Sequence, residues 1–548
     1  MARILVIQLG RLGDVIQTTP LLRELLLQND DGGVEVLVLD SLREIVEGLG
    51  LGAVHGLSER SIPVSLRQLD KSIELSRKLH EPMPREGQDA LRNLALPSYD
   101  RIVNCTYSPF GALVAQHTRS NRVIGPANNT VGEVLFHHPA HIYLCARALF
   151  REQNWFNLVD LWRAGGRSIA APSFHTRTYV PIASKLPFDV PSGRIVALNP
   201  GSSDAVRRWP AANFALLAEA LASRGLVPAL VGAPSDRETC EEVQARSSVK
   251  IANFCGQTSV SQLALFLTHA DLLVSNDTGA IHVAAAAGCR VLALFGATAY
   301  FAETAPWAEG HVVLQGQMGS DIVLLHPRLV LAAALSRLGL IDETDLRREI
   351  ALQKSTAWET FYLDPDADPL GGIAYRPLHQ DNFSAEQVFT RELRHLFARV
   401  FCEDERIAAL GHLPQSVARS SGSSAFGRAV AQGEDVIPFV NALESMAEAA
   451  ARCRTLCVWP TQRGAAEISS LSSSLVRAIE ELKICSEGSS MVKPVVHFLD
   501  WSCRMMEPMS PEQTFLGHEQ AYRLAARFLR EAELRKEEQL EGLTLVAR

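Results

Sequence analysis

The sequence predicts an α/β protein: two doubly wound parallel-sheet domains, followed by a mainly helical C-terminal region. Three observations lead there. A strand, turn, helix, turn and strand succeed one another within the first 39 residues. The same alternation restarts at Arg194, after a proline-rich stretch. Past about residue 345 it stops. Strands joined through helices form parallel sheets with right-handed crossovers, so this rhythm specifies a class of fold.

The apolar run Ile4-Leu5-Val6-Ile7 reads as a buried parallel strand entering the turn Gly10-Arg11-Leu12-Gly13-Asp14. Helical periodicity from Val15 to Leu27, the turn Asp31-Gly32-Gly33 and a strand from Val34 to Leu39 complete the unit. Residues 58–92 are polar with a helical period and read as an inserted surface helix. Another strand covers Arg101 to Asn104. The helical stretch Asn154 to Trp162 is expected to stop at Ala164-Gly165-Gly166 through a glycine cap. Pro172, Pro181, Pro187 and Pro191 then mark an interdomain linker.

The second half opens with a strand from Arg194 to Leu198 and the turn Asn199-Pro200-Gly201-Ser202-Ser203. A helix from Ala211 to Ser223, a strand from Val227 to Val231 and the turn Gly232-Ala233-Pro234 follow. Next come a helix from Asp236, a short strand near Val249 to Ile251 and a helix from Ser259 to Leu267. The strand Leu272 to Val274 leads into Asn276-Asp277-Thr278-Gly279, and the helix after it runs to Ala287, capped by Gly288. The strand Val291 to Phe295 ends at Gly296-Ala297-Thr298. The expected division is residues 1–170, 190–345 and 346–548. The third part has Pro/Gly-rich turns at 364–372, a serine-rich break at 416–424 and a charged amphipathic helix from Glu519 to Leu540.

Composition agrees. At roughly 100–200 residues per domain, 548 residues suggest three domains. A hydrophobic fraction of 47% excludes wholesale disorder. The net charge of -8 is poorly suited to gripping nucleic acid. Residues 1–350 carry 32 basic and 34 acidic side chains, and residues 351–548 carry 21 and 27, so neither part is a basic module. Ten cysteines without a C-x-x-C pair fit buried thiols in a reducing compartment. The N-terminus has six uncharged residues before Gly10, short of a signal peptide's roughly 7–15-residue apolar run. No stretch reaches the ~20 apolar residues of a membrane span. The expectation is a cytoplasmic protein, at most peripheral at the inner face of the cytoplasmic membrane, with no transmembrane segment and no nucleic-acid partner.

In open α/β sheets ligands collect at the carboxyl ends of strands, where helix N-termini aim free N–H groups at anions. Three turns qualify: Gly10 to Asp14, Asn199 to Ser202, and Asp277 to His282. The first lacks G-x-G-x-x-G spacing, which argues against a nicotinamide or flavin site. Gly10 and Gly13 let a backbone approach a ligand, with Asp14 at the helix start; alone, Asp14 reads equally as a helix cap. In the third turn Gly279 permits close approach, Thr278 can donate to phosphate, and His282 lies one helical turn on, on the same face as Thr278.

Taken together these segments resemble glycosyltransferase family 9, the bacterial heptosyltransferase family, over residues 1–340. The resemblance rests on Ile4-Leu5-Val6-Ile7, Gly10-Arg11-Leu12-Gly13-Asp14-Val15 and Thr18-Thr19-Pro20. It continues through Asn199-Pro200-Gly201-Ser202, Arg208-Trp209-Pro210, Asn276-Asp277-Thr278-Gly279 with His282, and Leu294-Phe295-Gly296-Ala297-Thr298. It implies the GT-B fold, two Rossmann-like domains facing a cleft, and inverting transfer of a sugar from a nucleotide donor, ADP-heptose by similarity. It also implies that Asp14 is the base that deprotonates the acceptor hydroxyl. Thr278 and Gly279 then bind the donor diphosphate, and Asp277, His282, Gly201 and Ser202 lie at the donor. Arg207 or Arg208 stands where the family places a basic residue before Trp-Pro. The family's carboxylate near the adenosine ribose has no direct counterpart: Pro234 falls close to its place, and Asp236 or Glu238 is the substitute.

The resemblance calls for no cofactor and no metal. Asp364-Pro-Asp366-Ala-Asp368 contains D-x-D but sits among prolines outside both α/β domains. His137-His138-x-x-His141 lacks a partner carboxylate, and Pro139 interrupts any helix; it reads as an acceptor-side loop. Cys453 and Cys457 lack a second pair. The expected acceptor is a glycan, glycolipid or protein, and residues 346–548 shape the acceptor side or recruit a protein partner. Two rivals are a nucleotide-sugar epimerase of similar fold and a non-catalytic sugar-nucleotide-binding module; Asp14 weighs against the second, since binding a donor needs no base across the cleft.

Overall fold

A computed structural model of the chain describes residues 2–58, 96–166, 185–362, 372–379, 437–458, 473–484, 492–504 and 518–530, with short breaks inside these ranges, together with Arg394. Two sheets form its frame. The first contains β1 (Ile4–Gln8), β2 (Val34–Leu39), β3 (Ala53–Leu57), β4 (Arg101–Asn104) and β5 (Val123–Ile124), all parallel, in the order β3-β2-β1-β4-β5. Its helices are α1 (Leu12–Gln28), α2 (Arg43–Glu47), α3 (Pro109–His117), α4 (Pro139–Ala146) and α5 (Leu158–Gly166), and an antiparallel pair, β6 (Pro126–Asn128) and β7 (Val134–Phe136), precedes α4.

The second sheet contains β8 (Ile195–Asn199), β9 (Val227–Leu230), β10 (Ala252–Asn253), β11 (Ala270–Asn276), β12 (Val291–Ala297), β13 (Val312–Met318), β14 (Thr356–Tyr362) and β15 (Ile373–Pro377). Their order is β10-β9-β8-β11-β12-β13-β14-β15. The helices here are α6 (Ala211–Ala222), α7 (Arg237–Arg246), α8 (Val260–Leu267), α9 (Gly279–Ala287), α10 (Phe301–Thr304), α11 (Pro327–Arg337) and α12 (Glu343–Gln353). Two Rossmann-like sheets facing one cleft make the GT-B architecture. Central strands such as Ile4-Leu5-Val6-Ile7 are buried throughout because helices cover both faces, which is why they read as unbroken apolar runs. Strand order reverses beside β1 in one sheet and beside β8 in the other, and crevices at such switch points hold ligands.

Several elements differ from their sequence reading. Helix α1 begins at Leu12, not Val15, and carries Pro20 in its interior. Proline has no N–H for the carbonyl four residues back, and the Thr19 hydroxyl donates to that Ile16 carbonyl instead, at 2.7 Å. Helix α5 is described as far as Gly166, within the predicted Ala164-Gly165-Gly166, but neither Gly165 nor Gly166 has the positive φ of a left-handed glycine cap. These glycines serve packing: a β-carbon at Gly165 would lie 2.1 Å from His141 Nε2, and one at Gly166 2.2 Å from Leu21 Cδ1. Strand β10 lies at Ala252–Asn253, just beyond the predicted Val249 to Ile251.

The largest correction concerns the boundary at residue 345. The second sheet continues past it through β14 and β15, which pair antiparallel with β13 and with each other. Helices α11 and α12 lie between β13 and β14, but the added strands run antiparallel to β13 and carry mixed polar and aromatic residues, so they do not read as buried parallel strands. Residues 58–92 and 364–372, the serine-rich break and most of the proline-rich linker lie largely or wholly outside the described residues. From the linker's end, Phe188 stacks on Phe254 with ring centroids 3.8 Å apart. Farther on, α13 (Ile437–Val458) and α14 (Val492–Arg504) are helical, and α14 packs on α4 and on the turn Arg147–Leu149 that follows it. Of the helix expected from Glu519 to Leu540, residues beyond 530 lie outside the described set. Among the described residues no helix is long and apolar enough to cross a membrane.

One buried charge network joins the halves. Arg163 on α5 donates from Nε to Glu24 on α1 at 2.7 Å, and its Nη1 lies 3.6 Å from Asp160. Asp160 also accepts from Trp307 Nε1 at 2.8 Å and pairs with Arg394 at 3.3 Å. All four charged groups are buried.

Candidate active site

Helix α1 starts at Leu12, with Arg11 as its N-cap three residues after β1, and its first turn carries Asp14. The Arg11 backbone N–H donates to Asp14 Oδ2 at 2.8 Å, so the carboxylate caps the helix from its third position. Gly10 makes room for it, since a β-carbon there would lie 2.6 Å from Asp14 Oδ2 and 2.8 Å from Gln8 Oε1. Gln8 holds the turn, accepting from the Gly10 N–H at 3.0 Å and donating to Thr18 at 2.9 Å. Burial raises the Asp14 carboxyl above the ordinary carboxylate range, and the Arg11 N–H partly offsets that.

Across the cleft, α9 begins at Gly279 with Thr278 as its cap. The Thr278 hydroxyl accepts from the Ala280 N–H at 3.3 Å and from Asn199 Nδ2 at 3.0 Å, so the turn after β8 and the turn after β11 are tied together. Asn276 repeats the tie by donating to the carbonyls of Pro200 and Gly201 at 2.9 and 3.1 Å. Both asparagines are buried.

The two arginines part company around Trp209, which is fully buried and donates to the Leu325 carbonyl at 2.7 Å. Arg207 reaches the α9 turn: its Nη1 is 3.0 Å from Asp277 Oδ2, and its Nε donates to Thr298 Oγ1 at 2.8 Å. Arg208 turns back and donates to the Ser202 carbonyl at 2.8 Å. Burial raises the Asp277 carboxyl, while the Arg207 and Arg151 guanidiniums pull it down.

The turns at Asp14 and at Thr278 are neighbours. A β-carbon at Gly13 would sit 3.0 Å from His282 Cδ2, and one at Gly279 would sit 3.1 Å from Leu12. Only paired glycines let the two helix N-termini approach this closely. His282 is buried, its Nδ1 has no hydrogen-bond partner, and burial lowers its pKa to about 3, so it is neutral at physiological pH.

Asp236 also joins the cluster. A β-carbon at Gly201 would lie 2.1 Å from its carboxyl carbon, and its Oδ2 accepts from the Ala233 N–H at 2.9 Å. Glu238 is exposed on α7. The structure thus gathers Gly10, Gly13, Asp14, Gly201, Ser202, Arg207, Asp236, Asp277, Thr278, Gly279 and His282 around one cleft, and places Arg208 and Glu238 at its margin.

Sequence reasoning overlooked Asn199, Asn276 and Thr298 as residues that position the site. Their signal was available, since each stands at the carboxyl end of a strand. His138 and His141 are not an open loop: His138 caps α4, His141 bonds the Tyr107 hydroxyl, and both are buried. The Asp364 to Asp368 run, His137 and the side chains of Cys453 and Cys457 lie outside the described residues. Among the described residues no three metal-binding side chains gather.

Comparison with known proteins bears on the second sheet above all. Residues 177–337 match the family model described as glycosyltransferase family 9 (heptosyltransferase). A 118-residue stretch is 30% identical to lipooligosaccharide heptosyltransferase 2 of Campylobacter jejuni, covering 21% of this chain and 37% of that protein. The chain therefore spans little more than a third of that relative's length. A longer match, 23% identical over 305 residues, links it to lipopolysaccharide heptosyltransferase 3 of Escherichia coli K12, covering 54% and 83%. Among solved structures, a family 9 glycosyl transferase from Veillonella parvula is similar, with TM-score 0.46 and 18% identity over 62% of this chain and 97% of that one.

Proposed function

Proceeding from a glycosyltransferase family 9 domain at residues 177–337, we propose that the chain is an inverting glycosyltransferase that moves heptose from ADP-heptose to a hydroxyl of a glycan or lipopolysaccharide-core acceptor. One observation carries the reading: a partly buried carboxylate, Asp14, stands beside a helix N-terminus and an arginine that suit a diphosphate.

On this reading the ionised Asp14 takes the acceptor proton as the acceptor oxygen attacks the anomeric carbon. The bond to the diphosphate breaks on the opposite face, so one displacement inverts that carbon. The leaving diphosphate receives the free N–H groups of Thr278 and Gly279 and the Arg207 guanidinium, whose planar fork suits two phosphate oxygens. His282, neutral, offers a hydrogen bond without competing charge, and Asp236 is placed to accept from ribose hydroxyls. Residues beyond the second sheet act on the acceptor side, because α14 buttresses α4 and the turn after it. The enzyme works in the cytoplasm, peripherally at the inner face of the cytoplasmic membrane when its acceptor is a glycolipid.

The test is to incubate the full chain with ADP-heptose, with and without candidate acceptors, and to quantify ADP. Acceptor-dependent ADP release is expected. Conversion of the donor without ADP release would identify an epimerase, and donor binding with no turnover under any acceptor would leave a binding module.

A further inference from the structure

Beside the proposed site a carboxylate of one half is clasped by two arginines of the other. Glu303, on α10, is buried with its side chain 6% exposed. Arg151, from the turn Arg151–Gln153, donates from Nε to Glu303 Oε2 at 2.8 Å. Arg147 places its Nε 3.3 Å from Oε1, yet that buried Nε makes no hydrogen bond. The Tyr300 hydroxyl donates to the Glu152 carbonyl at 2.8 Å, fixing this turn against the segment that carries Glu303.

We propose that Arg151, supported by Arg147, is a donor-diphosphate contact supplied from the acceptor-side half of the molecule, and that Glu303 holds it in place until the diphosphate arrives. The inference rests on the donor site proposed above. Three arguments lead to it. Glu303 is buried while Arg147 and Arg151 keep 20% and 29% of their side chains exposed, so the clasp desolvates the carboxylate without sealing the arginines, and stability alone does not explain a cross-cleft clasp with an unsatisfied donor. The guanidinium that grips a carboxylate through two N–H groups offers the same fork to phosphate. The clasp also borders the donor turn: Glu303 stands five residues after Thr298, which accepts from Arg207 Nε at 2.8 Å, and Arg207 in turn pairs with Asp277 at 3.0 Å.

Charge supports an exchange. Around the cleft Arg207 is paired with Asp277, and Arg147 and Arg151 with Glu303. A diphosphate adds negative charge at the α9 N-terminus, and the arginines already near it are held on Asp277 and Glu303. Releasing Arg151 from Glu303 compensates the newcomer and draws the halves together over the leaving group.

Full-length protein should be titrated calorimetrically with ADP and with AMP, without acceptor, comparing wild type, Arg151→Gln, Glu303→Gln and the double variant. Arg151→Gln is expected to weaken ADP binding about 10–100-fold, with a much smaller effect on AMP. Glu303→Gln frees the arginine and should tighten ADP binding about 3–10-fold. The double variant should behave like Arg151→Gln, and Arg151→Lys should restore part of the affinity. If both single variants weaken ADP binding equally, the clasp is a structural latch and the assignment falls. Unchanged ADP affinity with a raised acceptor KM in Arg151→Gln would give the arginine to the acceptor instead. Wild-type protein that binds no nucleoside diphosphate would overturn the donor reading itself, whereas normal binding in every variant would sink this inference alone.

Discussion

Asp14 caps the first turn of α1 through Arg11 and is also the proposed base, and the two roles need the same ionised oxygen. Burial raises its pKa, so kcat/KM should fall with decreasing pH along a limb set above the ordinary carboxylate range, and an Asp14→Asn enzyme should lack that limb. Asp14→Asn is expected to lower turnover about 10²–10⁴-fold while ADP affinity, measured by calorimetry, stays within a factor of two or three. Stability should move the other way. A carboxyl with a raised folded-state pKa costs stability once ionised, above that pKa, and the cost vanishes as pH falls below the ordinary carboxylate range. Asp14→Asn should therefore raise the Tm near neutral pH and lose that advantage in acid; a lower Tm at pH 7 would leave capping as the dominant role. How legible each residue was depended on distance. Asp14, Thr278 and Gly279 were readable because turn and cap chemistry is local. Arg207 was indistinguishable from Arg208 until the buried Trp209 between their paths fixed which one faces the cleft. Arg151 and Glu303 were invisible, being 152 positions apart and joined only by the meeting of two sheets.

Among the elements, α5 and α9 show what a glycine pattern conceals. Gly165 and Gly166 look like a helix stop, yet they let α5 lie against His141 and Leu21. Gly165→Ala should destabilise the protein by about 1–3 kcal/mol, read from urea denaturation, where a true cap site would tolerate alanine better. Gly279 was correctly placed at a helix start, but its immediate neighbour is Leu12 of the other half. Gly279→Val should abolish ADP binding in calorimetry without loss of helical circular dichroism. Binding at wild-type strength would show that neither ligand nor partner helix approaches there. The parallel strands were legible because burial on both faces leaves continuous apolar runs. Strands β14 and β15 were not, because Thr356 to Tyr362 mixes polar and aromatic residues instead of forming a continuous apolar run.

For the whole molecule, the longer second sheet changes where the chain can be divided. A truncation at residue 345 removes β14 and β15 and bares the edge of β13, so it should be insoluble or aggregate on refolding. A truncation placed after Arg394 keeps both sheets and the buried network; it should fold, retain ADP affinity and lose transfer to the natural acceptor. Lost ADP affinity in a folded protein of that length would assign the C-terminal helices to the donor site. The network has a further consequence, for the order in which the protein is made. Asp160 is wholly buried in the first half, but Trp307 comes from the bend between α10 and β13 and Arg394 is 234 positions downstream. At about 5–20 residues per second, a ribosome needs roughly 12–47 s to add those residues. During that interval α5 lacks Trp307 and Arg394, and Arg163 is left as the cation beside Asp160. The first sheet therefore waits on the ribosome for residues translated long after its own. Nascent chains stalled before residue 394 should be cut by protease near residues 158–166, and chains released after it should resist.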